Sequence, residues 1–152
     1  MFKLYIEKNI SSKELLKKVF NEYEIKADII YNEYGKPYLK DNQLYFNISH
    51  CDDYTVLAIS NSEVGVDIEK ITMKERIIDR ICTDEEKRII KTPEDFTIIW
   101  VKKESYVKYL SIGLTYGLKN VDTLKPYNFI IKKIDNYYIS VYLGEMSDVS
   151  EV

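Results

Sequence analysis

One histidine, two cysteines, three prolines and five glycines are spread over 152 residues, and no apolar run approaches the roughly 18 residues of a membrane-spanning helix. The cysteines, Cys51 and Cys82, lie far apart and belong to no metal-spaced group, so a reduced intracellular setting is the default; one disulfide between them stays open. No His/Asp constellation marks either as a nucleophile. The scattered glycines and prolines leave no long linker or low-complexity segment, and no internal repeat is apparent in the sequence. A formal net charge of -3 gives no electrostatic case for general nucleic-acid binding, so a polyanionic partner needs a local basic patch. The amino terminus, MFKLYIEKNISS, meets an acidic residue after only a few apolar ones, which points to a cytoplasmic protein with no membrane association.

What is present suits a single domain over residues 1–152, large enough to bury a substantial share of its surface without staples. FKLYIE, residues 2 to 7, resembles a short strand. Ser11-Ser12 then start a helix running to about Tyr23, with Leu15, Leu16, Val19 and Phe20 as its apolar stripe. Ile25 to Tyr31 is strand or strand approach, interrupted by a turn at Tyr34-Gly35-Lys36-Pro37. Three closely spaced strands follow, Leu44 to Ile48, Thr55 to Ile59 and Val64 to Ile68. Helical character then replaces alternation: Met73 to Ile81, a second helix with a capping box from Thr83 and Glu86, and a third from near Pro93 to about Leu110. Gly113 and Gly117 mark the end of the third. Two strands, Tyr127 to Lys133 and Tyr137 to Leu143, turn at Asp135-Asn136, and the polar tail EMSDVSEV frays. Helices inserted between strands favour a compact α+β domain with an antiparallel sheet and packed helices.

Chemistry concentrates in two segments. In Gly65-Val66-Asp67-Ile68-Glu69 a strand points Asp67 and Glu69 to one side and Val66 and Ile68 to the other. In Trp100-Val101-Lys102-Lys103-Glu104-Ser105-Tyr106-Val107-Lys108 a helix puts Glu104 and Lys108 four apart on one surface beside Trp100. Strand carboxylates on a solvent face are common. Glu104 on a separate helix shifts the balance, because three carboxylates with substrate phosphate and water complete the oxygen shell of Mg²⁺ if they converge. Trp100 is expected to pack rather than react, and Lys103 either pairs with a carboxylate or touches substrate, with an exposed helix lysine as the alternative.

An ordered series, Gly35-Lys36-Pro37, Phe46-Asn47-Ile48-Ser49-His50, Gly65-Val66-Asp67-Ile68-Glu69, and Trp100 with Lys103-Glu104 and Lys108, resembles the 4'-phosphopantetheinyl transferase superfamily. It is similar to the broad-specificity type associated with peptide and polyketide synthases, over roughly residues 34 to 113. The resemblance implies Mg²⁺-dependent transfer of 4'-phosphopantetheine from coenzyme A to a serine of an acyl- or peptidyl-carrier protein, releasing 3',5'-ADP. It also implies Asp67, Glu69 and Glu104 as metal ligands, Lys108 and His50 at coenzyme A phosphates, and Lys36 and Ser49 at the nucleotide-side pocket. Glu104 becomes the proton acceptor for the incoming serine, with Lys108 offsetting phosphate charge.

Two departures qualify these expectations. Only 34 residues precede Gly35, where broad-specificity members carry a larger amino-terminal half, so a homodimer is expected to complete the pocket. Cys51-Asp52-Asp53 follows His50, and two acids beside a phosphate pocket are awkward unless they turn away. The alternatives are a noncatalytic carrier-domain or nucleotide-binding module, and an unrelated metal-dependent phosphoester hydrolase.

Overall fold

The computed structural model describes residues 1–26, 28–41, 43–111, 117–125 and 127–145. Its architecture grows from a run that is apolar on both faces. Strand β5 (Tyr54–Ser60) is buried at every position, because it lies between β1 (Phe2–Lys8) and β4 (Tyr45–Cys51), antiparallel to both. Leu57 and Ile59 on one face meet Leu15, Val19 and Phe20 of helix α1 (Ser12–Glu22). Val56 and Ala58 on the other meet Val66, Ile68, Ile139 and Val141 of a second sheet. The Ser11 side chain caps α1 by accepting the Glu14 N–H.

The second sheet has the order β6 (Gly65–Lys70), β8 (Tyr137–Glu145), β7 (Tyr127–Ile134), again antiparallel. Its outer face carries helix α4 (Pro93–Leu110), which starts with Pro93 behind a Thr92–Asp95 capping box. The layers therefore run α1, first sheet, second sheet, α4. Both halves follow one plan, in which a strand leads through a helix to a hairpin and pairs with that hairpin's second strand. The duplication lives in topology and not in the sequence, which is why no repeat is visible there. It also means that residues 2–60 already supply a counterpart layer to the second half.

The two hairpins are joined at their tips. Each turns through a two-residue loop, Asp52-Asp53 and Asp135-Asn136, whose first residue is left-handed, at φ 51 for Asp52 and φ 49 for Asp135. Tyr137 donates to Asp52 at 2.6 Å and Tyr54 donates to Asp135, while the tyrosine rings meet edge to face at 5.0 Å. Asp52 is thus engaged by a phenol, which answers part of the charge problem anticipated after His50.

Insertions interrupt each half. Between α1 and β4 lies a small antiparallel pair, β2 (Ile29–Tyr31) and β3 (Pro37–Leu39). The expected strand from Ile25 shrinks to three residues, and β3 emerges where only a turn was expected. Pro37 lacks the N–H that makes a strand legible in sequence, and it is tolerated here because the ribbon has only two strands. Between β6 and α4 come α2 (Glu75–Ile81) and α3 (Asp84–Ile89), with the Thr83–Glu86 capping box formed as expected. Helix α2 begins two residues later than Met73. Gly113 and the tail beyond Glu145 lie outside the described residues.

Gly65 fixes how closely α4 sits on β6. A Cβ there would stand 2.1 Å from the Ser105 carbonyl oxygen and 2.6 Å from the Tyr109 nitrogen, both backbone atoms. The sequence suggests only a tight strand entry at this position; the physical requirement is strand–helix contact. Gly65→Ala is expected to cost about 3 kcal/mol, the upper part of the overpacking range, because backbone cannot rotate away. Urea denaturation checks this, and a loss below 1 kcal/mol, under that range, would show that α4 yields freely.

Candidate active site

Helix α4 sorts its side chains by angle. Glu104 and Lys108, one turn apart, border a cleft of about 370 Å³ that is also lined by Tyr34, Lys36, Ile48 and Ser111. Trp100, a turn earlier, stacks on Phe96 with ring centroids 6.0 Å apart and receives the Lys74 ammonium over its ring at 4.8 Å. That assigns it packing, as expected.

Lys103, adjacent to Glu104 in sequence, points elsewhere. It is fully buried and forms an ion pair at 2.8 Å with the equally buried Glu86. Its ammonium also donates to the Leu118 and Val121 carbonyls, at 3.0 and 2.5 Å. Glu86 in turn accepts from the Thr83 and Thr123 N–H groups and the Thr123 hydroxyl. Burial alone would raise the Glu86 pKa, but Lys103, Thr123 and Thr83 together hold it below the ordinary carboxylate value. The exposed-helix alternative for Lys103 is therefore corrected, and the carboxylate pairing is the one formed: its ammonium satisfies three acceptors, the Glu86 carboxylate and the Leu118 and Val121 carbonyls, and so binds α3 and the segment after Gly117 to α4.

The cleft wall opposite α4 is the turn after β2. Gly35 takes φ +87, open to a residue without Cβ. Asn32 accepts the Tyr34 and Lys36 N–H groups, each at 2.9 Å, and donates to the Ser111 carbonyl at 2.9 Å. Lys36 donates to Glu63 at 2.8 Å, to the Val64 carbonyl at 3.2 Å and to the Lys108 carbonyl at 2.8 Å. All three N–H bonds of its ammonium are used within the protein, at the negative end of α4. Burial lowers its pKa, and Glu63 opposes that shift.

Asp67 is only 7% exposed. The Ser49 hydroxyl donates to its Oδ1 at 3.2 Å, while Oδ2 is buried without a hydrogen-bond partner. Burial, then Glu69 and Glu104, push the Asp67 pKa well above its ordinary value against the pull of Lys108. Glu104 is raised by burial and by Glu69, opposed by Lys108 and Lys74. Lys108 donates to the Ile48 carbonyl at 2.8 Å, and burial lowers its pKa against Asp67 and Glu104. Asp67, Glu69, Glu104 and Lys108 thus share one electrostatic neighbourhood. Among the described residues no three His, Cys, Asp or Glu side chains form a ready cluster for a metal ion.

His50 does not join them. It is exposed and borders a separate depression with Ser11, Ser12, Asp52 and Asp53 at the start of α1. Two contributors had no role assigned from the sequence: Lys74, which lies over the Trp100 ring from the start of α2 and opposes the rise of the Glu104 pKa, and Asn47 of the Phe46–His50 motif, whose side chain accepts the Val66 N–H at 2.8 Å. Cys51 is partly buried beside Asp67 and Glu69, its thiol pKa raised by burial; Cys82 is buried, with its thiol pushed up to about 11.

Comparison with known proteins bears on this arrangement. A family model described as the 4'-phosphopantetheinyl transferase superfamily matches residues 63–143, the stretch that includes Asp67, Glu69, Glu104 and Lys108. The chain belongs to this superfamily. It is 32% identical over 124 residues to the 4'-phosphopantetheinyl transferase gsp of Aneurinibacillus migulanus, covering 76% of this chain and 52% of that protein. It is likewise 32% identical over 123 residues to a 4'-phosphopantetheinyl transferase of Bacillus subtilis, covering 74% of this chain and 50% of that protein. A human L-aminoadipate-semialdehyde dehydrogenase-phosphopantetheinyl transferase is 33% identical over 123 residues, or 66% of this chain and 40% of that protein. This member of the superfamily spans about half the length of the curated relatives it matches. No helix among its described residues is long and apolar enough to cross a membrane.

Proposed function

We propose that this chain transfers 4'-phosphopantetheine from coenzyme A to a serine hydroxyl of an acyl- or peptidyl-carrier protein, releasing 3',5'-ADP, with Mg²⁺ held by Asp67, Glu69 and Glu104. The observation that carries the reading is the partnerless Asp67 Oδ2, buried beside two further carboxylates and the Lys108 ammonium. An oxygen-only donor set suits a hard divalent cation, whose charge would offset the burial and the carboxylate repulsion that raise Asp67 and Glu104. When bound, Mg²⁺ supplies polarisation of the pyrophosphate and charge relief for the leaving group.

The chain's own residues do the rest. Glu104, with a raised pKa, takes the proton of the attacking serine directly or through water. Lys108, held by the Ile48 carbonyl, presents its charge to the phosphates in the cleft. Lys36 forms the cleft wall on the nucleotide side and braces the end of α4. His50, on its separate depression, suits a second phosphate group of a long substrate. The alternative is a noncatalytic carrier-domain or nucleotide-binding module. A homodimer is the remaining expectation, tested by light scattering across dilution beside activity.

Mass spectrometry of a carrier protein incubated with the chain, coenzyme A and Mg²⁺ is expected to show phosphopantetheine added to one serine. Coenzyme A binding without addition would favour the binding module, and phosphate release without addition would favour hydrolysis. Lys108→Ala is expected to raise the KM for coenzyme A about 10- to 100-fold, the worth of one charge-assisted contact. Unchanged KM and turnover would contradict that role.

A further inference from the structure

The free edge of β6 is met by side chains, not by another strand. Asn47 and Ser49, two apart on β4 and therefore on one face, reach across to it: Asn47 accepts the Val66 N–H at 2.8 Å and Ser49 donates to Asp67 at 3.2 Å. Both are buried, Asn47 2% and Ser49 9% exposed. Two alternate residues of β4 thus grip β6 through their side chains and fix the strand carrying Asp67 and Glu69.

Ser49 has one hydroxyl proton, and it is spent on Asp67 Oδ1. A hydroxyl so committed cannot also donate to a nucleotide phosphate. The bond leaves the other oxygen, Oδ2, as the one without a partner. We propose that Ser49 is a positioning residue that orients the Asp67 carboxylate for the cation, and not a nucleotide contact as the family resemblance implies. This rests on the cation site described above. Oriented this way, Oδ1 is satisfied by protein and Oδ2 is the ligand oxygen. Without the hydroxyl, the carboxylate is free to rotate in a buried site and loses its fixed ligand direction. Outer hydrogen bonds of this kind typically govern metal affinity by 10- to 100-fold.

The test measures metal binding directly. Mn²⁺ binding in the presence of coenzyme A is followed by electron paramagnetic resonance for the unaltered chain, Ser49→Ala, Ser49→Thr and Asp67→Ala. Coenzyme A affinity is measured separately in EDTA. Ser49→Ala is expected to weaken Mn²⁺ about 10- to 100-fold with coenzyme A affinity in EDTA unchanged, and Ser49→Thr, which keeps the hydroxyl, to restore Mn²⁺ affinity. Thermal melting of both variants separates loss of fold from loss of orientation, since a merely structural serine would lower melting without moving Mn²⁺ affinity in the folded protein. Unchanged Mn²⁺ affinity in Ser49→Ala, or reduced coenzyme A affinity in EDTA, overturns the positioning role while leaving the cation site intact. No saturable Mn²⁺ binding by the unaltered chain, or no loss in Asp67→Ala, overturns both.

Discussion

Asp67→Asn is expected to lower phosphopantetheine transfer by about 100- to 1,000-fold, the usual loss when a group stabilising charge in the transition state is removed. It is also expected to raise stability without a cation. The two effects have one cause. Asn keeps an oxygen for the Ser49 hydroxyl but carries no charge, so the chain no longer buries a carboxylate beside Glu69 and Glu104. A raised folded pKa gives a stabilising contribution that is full below the ordinary aspartate value of about 3.9. That contribution is lost as pH rises through the raised value. Stability measured in EDTA should therefore decline with rising pH across that window in the unaltered chain, and less in Asp67→Asn. Glu104→Gln should share the loss of transfer, since neither the cation nor the serine proton is served. Stopped-time assays with a carrier protein, read beside denaturation in EDTA, check both signs. Full transfer by either variant would remove these carboxylates from the chemistry.

Lys103→Met is expected to destabilise the fold by about 3–5 kcal/mol, because it leaves Glu86 as a buried charge without its counterion. The neighbouring residue Glu104 makes this a sharp contrast: two adjacent positions on one helix, one tested by activity and the other by stability. Lys103→Met/Glu86→Leu should recover part of the loss, though not all, since Glu86 also serves the Thr83 and Thr123 donors. The Glu86 pKa is lowered in the fold, so its contribution is present above the ordinary glutamate value of about 4.3 and is lost as pH falls through the depressed value. Glu86→Gln should flatten the acid limb of the stability profile. Denaturant midpoints at successive pH values decide it, and a Lys103→Met variant within 1 kcal/mol of the parent, well short of the loss seen on breaking buried pairs, would mean water reaches this pair.

The cation reading and the buried pair also differ in how they entered the sequence. The Thr83–Glu86 capping box was legible, because four consecutive residues specify it. Its second use was not: Glu86 meets Lys103 and Thr123 only after α3 and α4 have packed. The small β2–β3 pair is only half legible in the sequence, since a three-residue strand beginning at Pro37 has too few alternations to register.

By itself the sequence determined what short-range periodicity controls. A period of two put Asp67 and Glu69 together and turned Val66 and Ile68 into the core, and a period of 3.6 put Glu104 one turn from Lys108. Turn chemistry located the Asp135-Asn136 hairpin, and the apolar stripe of Leu15, Val19 and Phe20 located α1. Only the tertiary structure decided which charges are buried, which hydroxyl faces which carboxylate, and that His50 opens on a different depression from Lys108. Those outcomes depend on groups far apart in the chain, whose desolvation and pairing exist only once the sheets and helices have closed on each other.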